Sequence, residues 1–440
     1  MALASDVRTE ALLLSSSLLL KTSPAASSCS IYNSYLRTAP SSASPSSQLL
    51  HKVHAVEQVR LRGRSRAPIH TPWMSSGGST PAGYVEIDPS CSDAASVLSQ
   101  RWMELVAAGR IASESNFEGR RLRYGLRMNS AGGIEEFVED VENVGGGNMA
   151  NCRSLYKEDG GVMIKLVSSR RLRPPAAFNR SQQRRVLPPH DSSCSLCFGP
   201  ISLPLREKAA VVVLPTECEE RRWDFHYNIA PIEARGHFLV VPDMGKEENC
   251  REQKLILTDC MDMAAMSKQL RGICLNFNSP NAGATQNHIH LHAWKQDYVY
   301  SVEQAGEREG EWDFGGVSVR ELEYPAFCVR ISNDKSSSHV GKVVHRILEA
   351  AGEDSELSWN VVFSNGNVYI FLRTSEVAQQ SLPGFAFGCN QMMGFWNVDT
   401  EDQFELVDHK TASLALRETS VGSLRGRSVI SRAREGFVGD

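Results

Sequence analysis

The 440-residue sequence predicts an α+β protein in which helices cover one face of an antiparallel sheet. Short apolar runs of strand length recur along the chain, and longer segments with helical spacing stand between them. The order helix, strand, loop, strand occurs at residues 255–295. A weaker series of helix and strands follows it, so we expect a degenerate second half-copy of the same fold.

The composition limits the class of function. A net charge of −4 at pH 7 argues against a protein that wraps nucleic acid or lies on an acidic membrane surface. No apolar run approaches the ~20 residues that a membrane-spanning helix needs. Eleven cysteines, an odd and scattered set, fit an intracellular protein with mostly free thiols.

Residues 1–90 are predicted to be a targeting peptide and disordered extension. The first 50 residues contain 14 serines, and residues 1–75 hold eight Lys or Arg against three acidic residues. This composition is typical of an organellar transit peptide, which favours a plastid or mitochondrion. A disordered extension of a cytoplasmic protein is the alternative.

Residues 91–190 are predicted to be a region of helix, strand and basic linker. Residues 94–108 have the spacing of an amphipathic helix, the acidic stretch 132–147 reads as a surface loop, and residues 162–167 read as a strand. Arg171 and Arg173 follow that strand, and guanidinium groups match phosphate geometry. A solvated, Pro-rich linker is the alternative for this basic stretch.

Residues 191–300 are predicted to be the catalytic core. Residues 209–214 and 238–241 are apolar strands, residues 255–275 form a helix, and a turn-rich loop of small and amide residues covers 276–286. The strand that follows carries His288, His290 and His292 at a spacing of two. Alternation along a strand places the three imidazoles on one face, and imidazole is a nucleophile and proton carrier near neutral pH.

Residues 301–410 are predicted to be the degenerate second half-domain. Residues 303–316 read as a linker or substrate-capping loop, residues 339–351 as a helix, and residues 360–363, 368–373 and 394–398 as strands. An Asn-Gly turn at 365–366 joins the first two of these strands as a hairpin. Residues 411–440, which are basic and rich in Ser and Gly, are predicted to be a disordered tail.

Two segments resemble a known superfamily. Residues 288–294, HIHLHAW, resemble the histidine triad pattern, and the string FNSPNAGATQNHIHLH at 277–292 is similar to GDP-hexose phosphorylases. These enzymes act on GDP-L-galactose or GDP-D-glucose. They belong to the galactose-1-phosphate uridylyltransferase-like branch of the histidine triad superfamily. Residues 228–242, NIAPIEARGHFLVVP, resemble a second segment of that family, with one residue more before Gly-His. The resemblance implies a histidine-triad-like sheet.

The resemblance also implies roles for individual residues. His290 would attack the α-phosphate and form a nucleotidyl-histidine, which inorganic phosphate then resolves to GDP and hexose 1-phosphate. His288 would orient the site, and His292 would hold the transferred phosphate or the leaving oxygen. His237 would support these histidines. An equally reasonable interpretation is that His237 is a surface residue at the start of a strand. The expected phosphate pocket consists of Asn278, Ser279, Gly283, Thr285 and Asn287.

One position departs from the phosphorylase pattern. Uridylyltransferases, dinucleoside tetraphosphate phosphorylases and plant-type GDP-galactose phosphorylases have Gln at the third triad position, where this chain has His292. A protonatable group there can activate water, so a histidine triad hydrolase is an alternative. An ATP adenylyltransferase or dinucleoside polyphosphate phosphorylase is another, and a non-catalytic nucleotide- or metal-binding protein is the third.

Cys194 and Cys197 form a Cys-x-x-Cys pair, which is half of a structural zinc site. By analogy with the uridylyltransferases, His288 would be a further ligand, and His190 or His237 would complete the set. Two free thiols are the alternative, and the resemblance requires no other cofactor. The partners it implies are a nucleotide-sugar or dinucleotide substrate and inorganic phosphate, and homodimers are common in this branch.

Overall fold

The computed structural model describes residues 83–117, 119–142, 155–167, 169, 172, 178–179, 184–185, 187, 190, 196, 208–214, 220–228, 231–243, 249–383 and 385–437. Residues 1–82 of the extension predicted at 1–90 lie outside these residues, whereas Val85–Ile87 form a strand of the main sheet, so the prediction of disorder is wrong there. Seven α-helices occur within the described ranges: α1 Ala94–Ala107, α2 Leu257–Gln269, α3 Ser337–Gly352, α4 Cys389–Met393, α5 Glu401–Leu406, α6 His409–Thr419 and α7 Ser423–Glu435.

Strands provide the framework on which the helices pack. They are β1 Val85–Ile87, β2 Ala112–Phe117, β3 Arg120–Met128, β4 Ile134–Asp140, β5 Tyr156–Asp159, β6 Val162–Leu166, β7 Phe178–Asn179, β8 Arg184–Arg185, β9 Lys208–Leu214, β10 Arg221–Tyr227, β11 His237–Pro242, β12 Ile273–Asn278, β13 Leu291–Lys295, β14 Trp312–Asp313, β15 Ser318–Glu321, β16 Cys328–Ser332, β17 Ser358–Ser364, β18 Asn367–Arg373 and β19 Phe395–Val398.

Eleven of these strands form one sheet in the order β1-β9-β10-β11-β13-β12-β17-β18-β16-β15-β14. Every ladder in it is antiparallel except β1 with β9. Two five-stranded halves with the same connectivity make up most of this sheet. The first runs β9-β10-β11-β13-β12, with α2 between β11 and β12 in the chain. The second, from the other edge, runs β14-β15-β16-β18-β17, with α3 between β16 and β17.

The predicted α+β fold and its second half-copy are therefore confirmed, and the two halves share one sheet. They meet where β12 pairs with β17, with Asn278 opposite Asn360. The hairpin of β17 and β18 turns at Asn365 and Gly366, both with positive φ, as the Asn-Gly pair predicts.

Helices α2 and α3 pack side by side on one face of the sheet. Their buried side chains, with the inward residues of the central strands, form the larger hydrophobic core. A Cβ at Gly341 would lie 2.5 Å from the Met261 backbone, so this glycine allows the two helices to approach closely. The opposite face carries a second core, which includes Trp294 and Trp396 and buries α4, α6 and the strands β6 and β19.

The predicted helix at residues 94–108 is confirmed as α1, whereas the prediction of an acidic surface loop at 132–147 is wrong. Residues 134–140 form β4, which pairs with β3. Arg127 of β3 donates hydrogen bonds to Glu135 and Glu139, at 2.7 and 2.8 Å. Cross-strand ion pairs thus accommodate the acidic side chains whose charge favoured a loop.

Three other predicted segments differ from the structure. The helix expected at 255–275 ends at Gln269, because Gly272 has a positive φ and β12 begins at Ile273. The linker at 303–316 contains β14, at the edge of the main sheet. The tail at 411–440 is not disordered over 411–435. There α6 and α7 are polar helices, each with one apolar stripe that composition alone does not reveal. The buried apolar residues of these stripes are Ala412, Ala415, Leu416, Val429, Ile430 and Ala433.

Within the described ranges, every helix is too short or too polar to cross a lipid bilayer.

Candidate active site

A cavity of about 320 Å³ lies on the sheet face opposite α2 and α3. One wall comes from the first half of the sheet and includes the loop after β12, the start of β13, and His237 and Leu239 of β11. The other wall comes from the second half and consists of residues 386–391, which lead into α4, together with Asn397 of β19. The cavity therefore lies between the two halves.

Alternation along the histidine segment is as predicted. Ile289, Leu291 and Ala293 are fully buried in the core on the helix side, whereas His290 and His292 line the cavity. The prediction that all three imidazoles face one site is wrong for His288, which does not line the cavity. Its buried ring lies beside His190, with 5.5 Å between ring centroids.

His290 is held in one tautomer. Its Nδ1 lies 2.7 Å from the carbonyl oxygen of His288, so Nδ1 carries the proton and donates it to that oxygen. The lone pair is then on Nε2. Burial lowers the pKa of His290, which keeps the ring neutral near pH 7. A neutral imidazole with a free Nε2 lone pair is the nucleophilic form of the residue.

His237 and His292 form a second hydrogen-bonded pair. The Ile232 amide donates to His237 Nδ1 at 3.1 Å, which places the His237 proton on Nε2. That Nε2 lies 3.0 Å from Nδ1 of His292, to which it donates. His292 then accepts at Nδ1 and keeps its own proton on Nε2, as a donor at the cavity. The surface alternative for His237 is wrong, because its side chain is only 2% exposed.

The expected phosphate pocket divides into two groups. Asn278, Gly283 and Thr285 line the cavity, and Gln286 joins them. Ser279 and Asn287 do not. The Ser279 hydroxyl accepts from the Trp359 amide at 2.9 Å, and the Asn287 carboxamide accepts from the Gln253 amide at 3.3 Å. Both contacts are made within the protein, and phosphate binding by these two residues stays a prediction.

Asn278 is the start of a buried chain of side chains that reaches the second half. Its Oδ1 accepts from Asn360 Nδ2 at 2.8 Å and from the Cys389 amide at 2.9 Å. Arg373 donates from Nη1 to Asn360 Oδ1 at 3.1 Å and to the Phe387 carbonyl at 2.8 Å. The sequence analysis missed Asn360 and Arg373, although a polar side chain inside or ending an apolar strand was the available signal.

Gly283 brings the two walls together. Its φ is +105°, and a Cβ there would lie 2.6 Å from Cα of Gly388 and 2.9 Å from the Phe387 carbonyl oxygen. Only glycine fits both the backbone conformation and the space.

His288 belongs to a cluster with His190 and Cys250, whose ligand atoms lie within 4.8 Å of one another. Burial lowers the pKa of His288 to about 4, and its Nε2 has no hydrogen-bond partner among the described residues. These donors suit zinc. Of the two candidates for a further ligand, His190 is in the cluster and His237 is not. Cys250 was not predicted, because the resemblance places the ligand directly after Pro242, where the chain has Asp243 and Met244. Four predicted residues lie outside the described residues: Arg171, Arg173, Cys194 and Cys197.

No family model matches the chain, and no curated protein matches it either. Among solved structures it is similar to a yeast Ap4A phosphorylase, Apa2. The structure of Apa2 with Ap4A gives a TM-score of 0.43 at 14% identity, covering 61% of this chain and 89% of that chain. The structure with AMP gives 0.41 at 14% identity, covering 61% and 88%. Similarity at this level gives no information on function, which we therefore infer from the cavity.

Proposed function

We propose that the protein is a nucleotidyltransferase that works through a covalent nucleotidyl-histidine on His290. The observation that carries this proposal is the tautomer of His290, whose proton is bound to the His288 carbonyl and whose ring lines the cavity. A histidine held only by packing would not need this arrangement beside a polar cavity.

In the first step, Nε2 of His290 attacks the α-phosphorus of a nucleoside diphosphate compound. A P–N bond forms, and the P–O bond to the leaving phosphate breaks with its electron pair on oxygen. In the second step, inorganic phosphate attacks the same phosphorus, the P–N bond breaks, and the imidazole is restored. Two displacements replace one difficult displacement.

His292 supports the charge that develops in both steps. The pairing of His237 with His292 leaves a proton on His292 Nε2, and the ring centroids of His290 and His292 lie 5.3 Å apart. A donor at this distance can hold a phosphoryl or leaving oxygen. Described Lys or Arg side chains are absent from the cavity wall. We therefore keep Arg171 and Arg173 as the proposed cations for the diphosphate.

We propose a GDP-hexose as the substrate and inorganic phosphate as the acceptor, so that the products are hexose 1-phosphate and GDP. This choice rests on the sequence resemblance of residues 277–292. The rival substrates are a dinucleoside polyphosphate and an adenylyl compound, with water as the rival acceptor. His292 favours water, because a protonatable third residue can act as an acid or base toward it.

Intact-protein mass spectrometry tests the covalent step. The protein is incubated without phosphate with GDP-glucose, GDP-galactose, UDP-glucose or diadenosine tetraphosphate. We expect a mass gain equal to a guanylyl group (GMP less one water), absent in His290→Ala and present in His345→Ala, a control on the distant helix α3. A gain equal to an adenylyl or uridylyl group would indicate a different substrate. Substrate consumed without an adduct would favour a hydrolase, and substrate left intact would favour a binding protein.

We also propose that His190, Cys250 and His288, joined by Cys194 or Cys197 as the fourth ligand, hold a structural zinc ion. Leu196, between the two cysteines in the sequence, packs against Cys250 and Leu239. A closed site of nitrogen and sulfur ligands supplies a rigid cross-link rather than a reactive ion.

Metal analysis of the purified protein tests the zinc proposal. We expect about one zinc per chain by the usual stoichiometry of a four-ligand site, lost in Cys250→Ser and kept in Cys91→Ser, a partly exposed thiol away from the cluster. Chelation should lower the Tm of the wild type and of Cys91→Ser. Zinc that survives in Cys250→Ser, or its absence from the wild type, would contradict the proposal.

A further inference from the structure

The backbone that carries His290 lies beyond the ladders of the sheet. Strand β13 begins only at Leu291, its pairing with β12 ends at His292 opposite Asn276, and its pairing with β11 ends at Leu291 opposite Val240. The peptide groups at His290 therefore receive no hydrogen bonds from a neighbouring strand.

The side chain of Gln253 takes the place of the missing strand. Its Oε1 accepts from the His290 amide at 2.9 Å, and its Nε2 donates to the His290 carbonyl at 3.1 Å. Nε2 also donates to the carbonyl of Asn278 at 2.9 Å. One carboxamide thus satisfies both peptide groups of the nucleophile and joins them to the end of β12.

The segment around Gln253 is itself anchored. The Ile289 amide donates to the Arg251 carbonyl at 2.9 Å, so residues 251–253 follow the backbone before β13. Arg251 donates to the Asp259 carboxylate at 2.5 Å, and Asp259 lies in the first turn of α2. The rigid base of the arrangement is therefore helix α2.

Gln253 is only 2% exposed, and it does not line the cavity. Its side chain therefore does not face a substrate bound in the cavity. Its three hydrogen bonds instead set the position of His290 relative to the loop that begins at Asn278. Small displacements of a reacting group are costly, since misplacement by about 1 Å lowers a rate by roughly 10²-fold.

We propose that Gln253 is a positioning residue that holds His290 in place for attack. This inference rests on the proposed function of His290 for its catalytic consequence, whereas its structural part stands apart from any reaction. It assigns a role to a residue in a segment that carries no recognisable motif.

Hydrogen–deuterium exchange in the substrate-free protein tests the structural part. The variant is Gln253→Met, which keeps the length of the side chain and removes its donors and acceptor. We expect the His290 amide to exchange about 10-fold faster, the effect of losing one hydrogen bond worth roughly 1–1.5 kcal/mol. The Ile289 amide, bound to the Arg251 carbonyl, should change less. Unchanged exchange at His290, or equal acceleration throughout the sheet, would overturn the proposal.

Kinetics test the catalytic part. Gln253→Met should lower kcat roughly 10²-fold with KM nearly unchanged, since the lost interaction does not touch substrate. Gln269→Met is the matched control, because Gln269 donates to the Asp88 carbonyl at the surface, and it should keep wild-type kinetics. The second variant is Gln253→Glu, which keeps an acceptor for the His290 amide. Its kcat should be lower than that of the wild type.

The two arms separate the two proposals. A wild-type protein that processes none of the nucleotides would contradict the proposed function, and exchange at His290 would still decide whether Gln253 holds that peptide. Faster exchange with unchanged kcat would overturn the positioning role.

Discussion

At the scale of single residues, the three histidines at 288, 290 and 292 have different surroundings. His290 is hydrogen-bonded to a carbonyl and His292 to another imidazole, whereas His288 lies outside the cavity, beside His190 and Cys250. Alternation predicted that His290 and His292 reach the cavity face, because it depends only on strand geometry, but it was wrong for His288. The resemblance also predicted His237 as a supporting residue, whereas Cys250, which comes from another part of the chain, was missed.

A further histidine, His226, predicts how stability responds to acid. It is buried, its ring nitrogens lack hydrogen-bond partners among the described residues, and burial, followed by the charge of Lys208, lowers its pKa to about 4. Between pH 6.5 and 4 the unfolded chain binds a proton that the folded chain excludes. Folding stability from this residue is therefore full above pH 6.5 and falls by up to roughly 1.4 kcal/mol per pH unit below it.

The variant His226→Leu should remove this loss. Urea unfolding at pH 8 and pH 5 measures it, and the variant should gain stability over the wild type at pH 5 relative to pH 8. At pH 8 both side chains are neutral, so that measurement is the control for packing. An equal difference at the two pH values would show that His226 does not titrate in this range.

At the scale of elements, patterns with a strong period were predictable and those hidden by composition were not. The spacing of apolar residues identified α1, and Asn-Gly identified the turn between β17 and β18. The negative charge of β4 favoured a loop, but its acidic side chains pair with Arg127. The composition of α6 and α7 favoured disorder, but both segments are helices. In these elements, tertiary contacts outweigh the local preference.

The contact between α2 and α3 carries a prediction about packing. Gly341→Ala places a methyl group 2.5 Å from the Met261 backbone, so the helices must separate. We expect a loss of about 1–3 kcal/mol in the free energy of unfolding, measured by urea denaturation. Gly352→Ala is the control at the end of the same helix, where the new methyl makes only an ordinary contact at 3.7 Å with Trp359. Helix propensity favours alanine over glycine in both variants, so equal losses would show that the contact with Met261 does not set the effect.

At the scale of the whole molecule, the cavity is a product of the duplication. Each half repeats one connectivity, but the histidines lie in the first half and the wall at residues 386–391 follows the second. The second copy was predictable from its own strands. Its contribution to the cavity was not, because Asn360 and Arg373 reach Asn278 only after the two half-sheets pair at β12 and β17.

Gly283 tests whether this closure between the halves matters for the proposed reaction. Gly283→Ala would meet the backbone of Gly388 and push the two walls apart, and we expect nucleotide adduct formation to slow roughly 10²-fold, as for a misplaced reacting group. Gly132→Ala is the matched control: its φ is also positive, at +79°, but its surroundings are open. Both variants should lose about 1–2 kcal/mol from backbone strain, and only Gly283→Ala adds a close contact with the backbone of Gly388. If adduct formation slows equally in both variants, backbone strain alone explains the effect. If Gly283→Ala forms the adduct at the wild-type rate, the contact between the two halves does not contribute to the site.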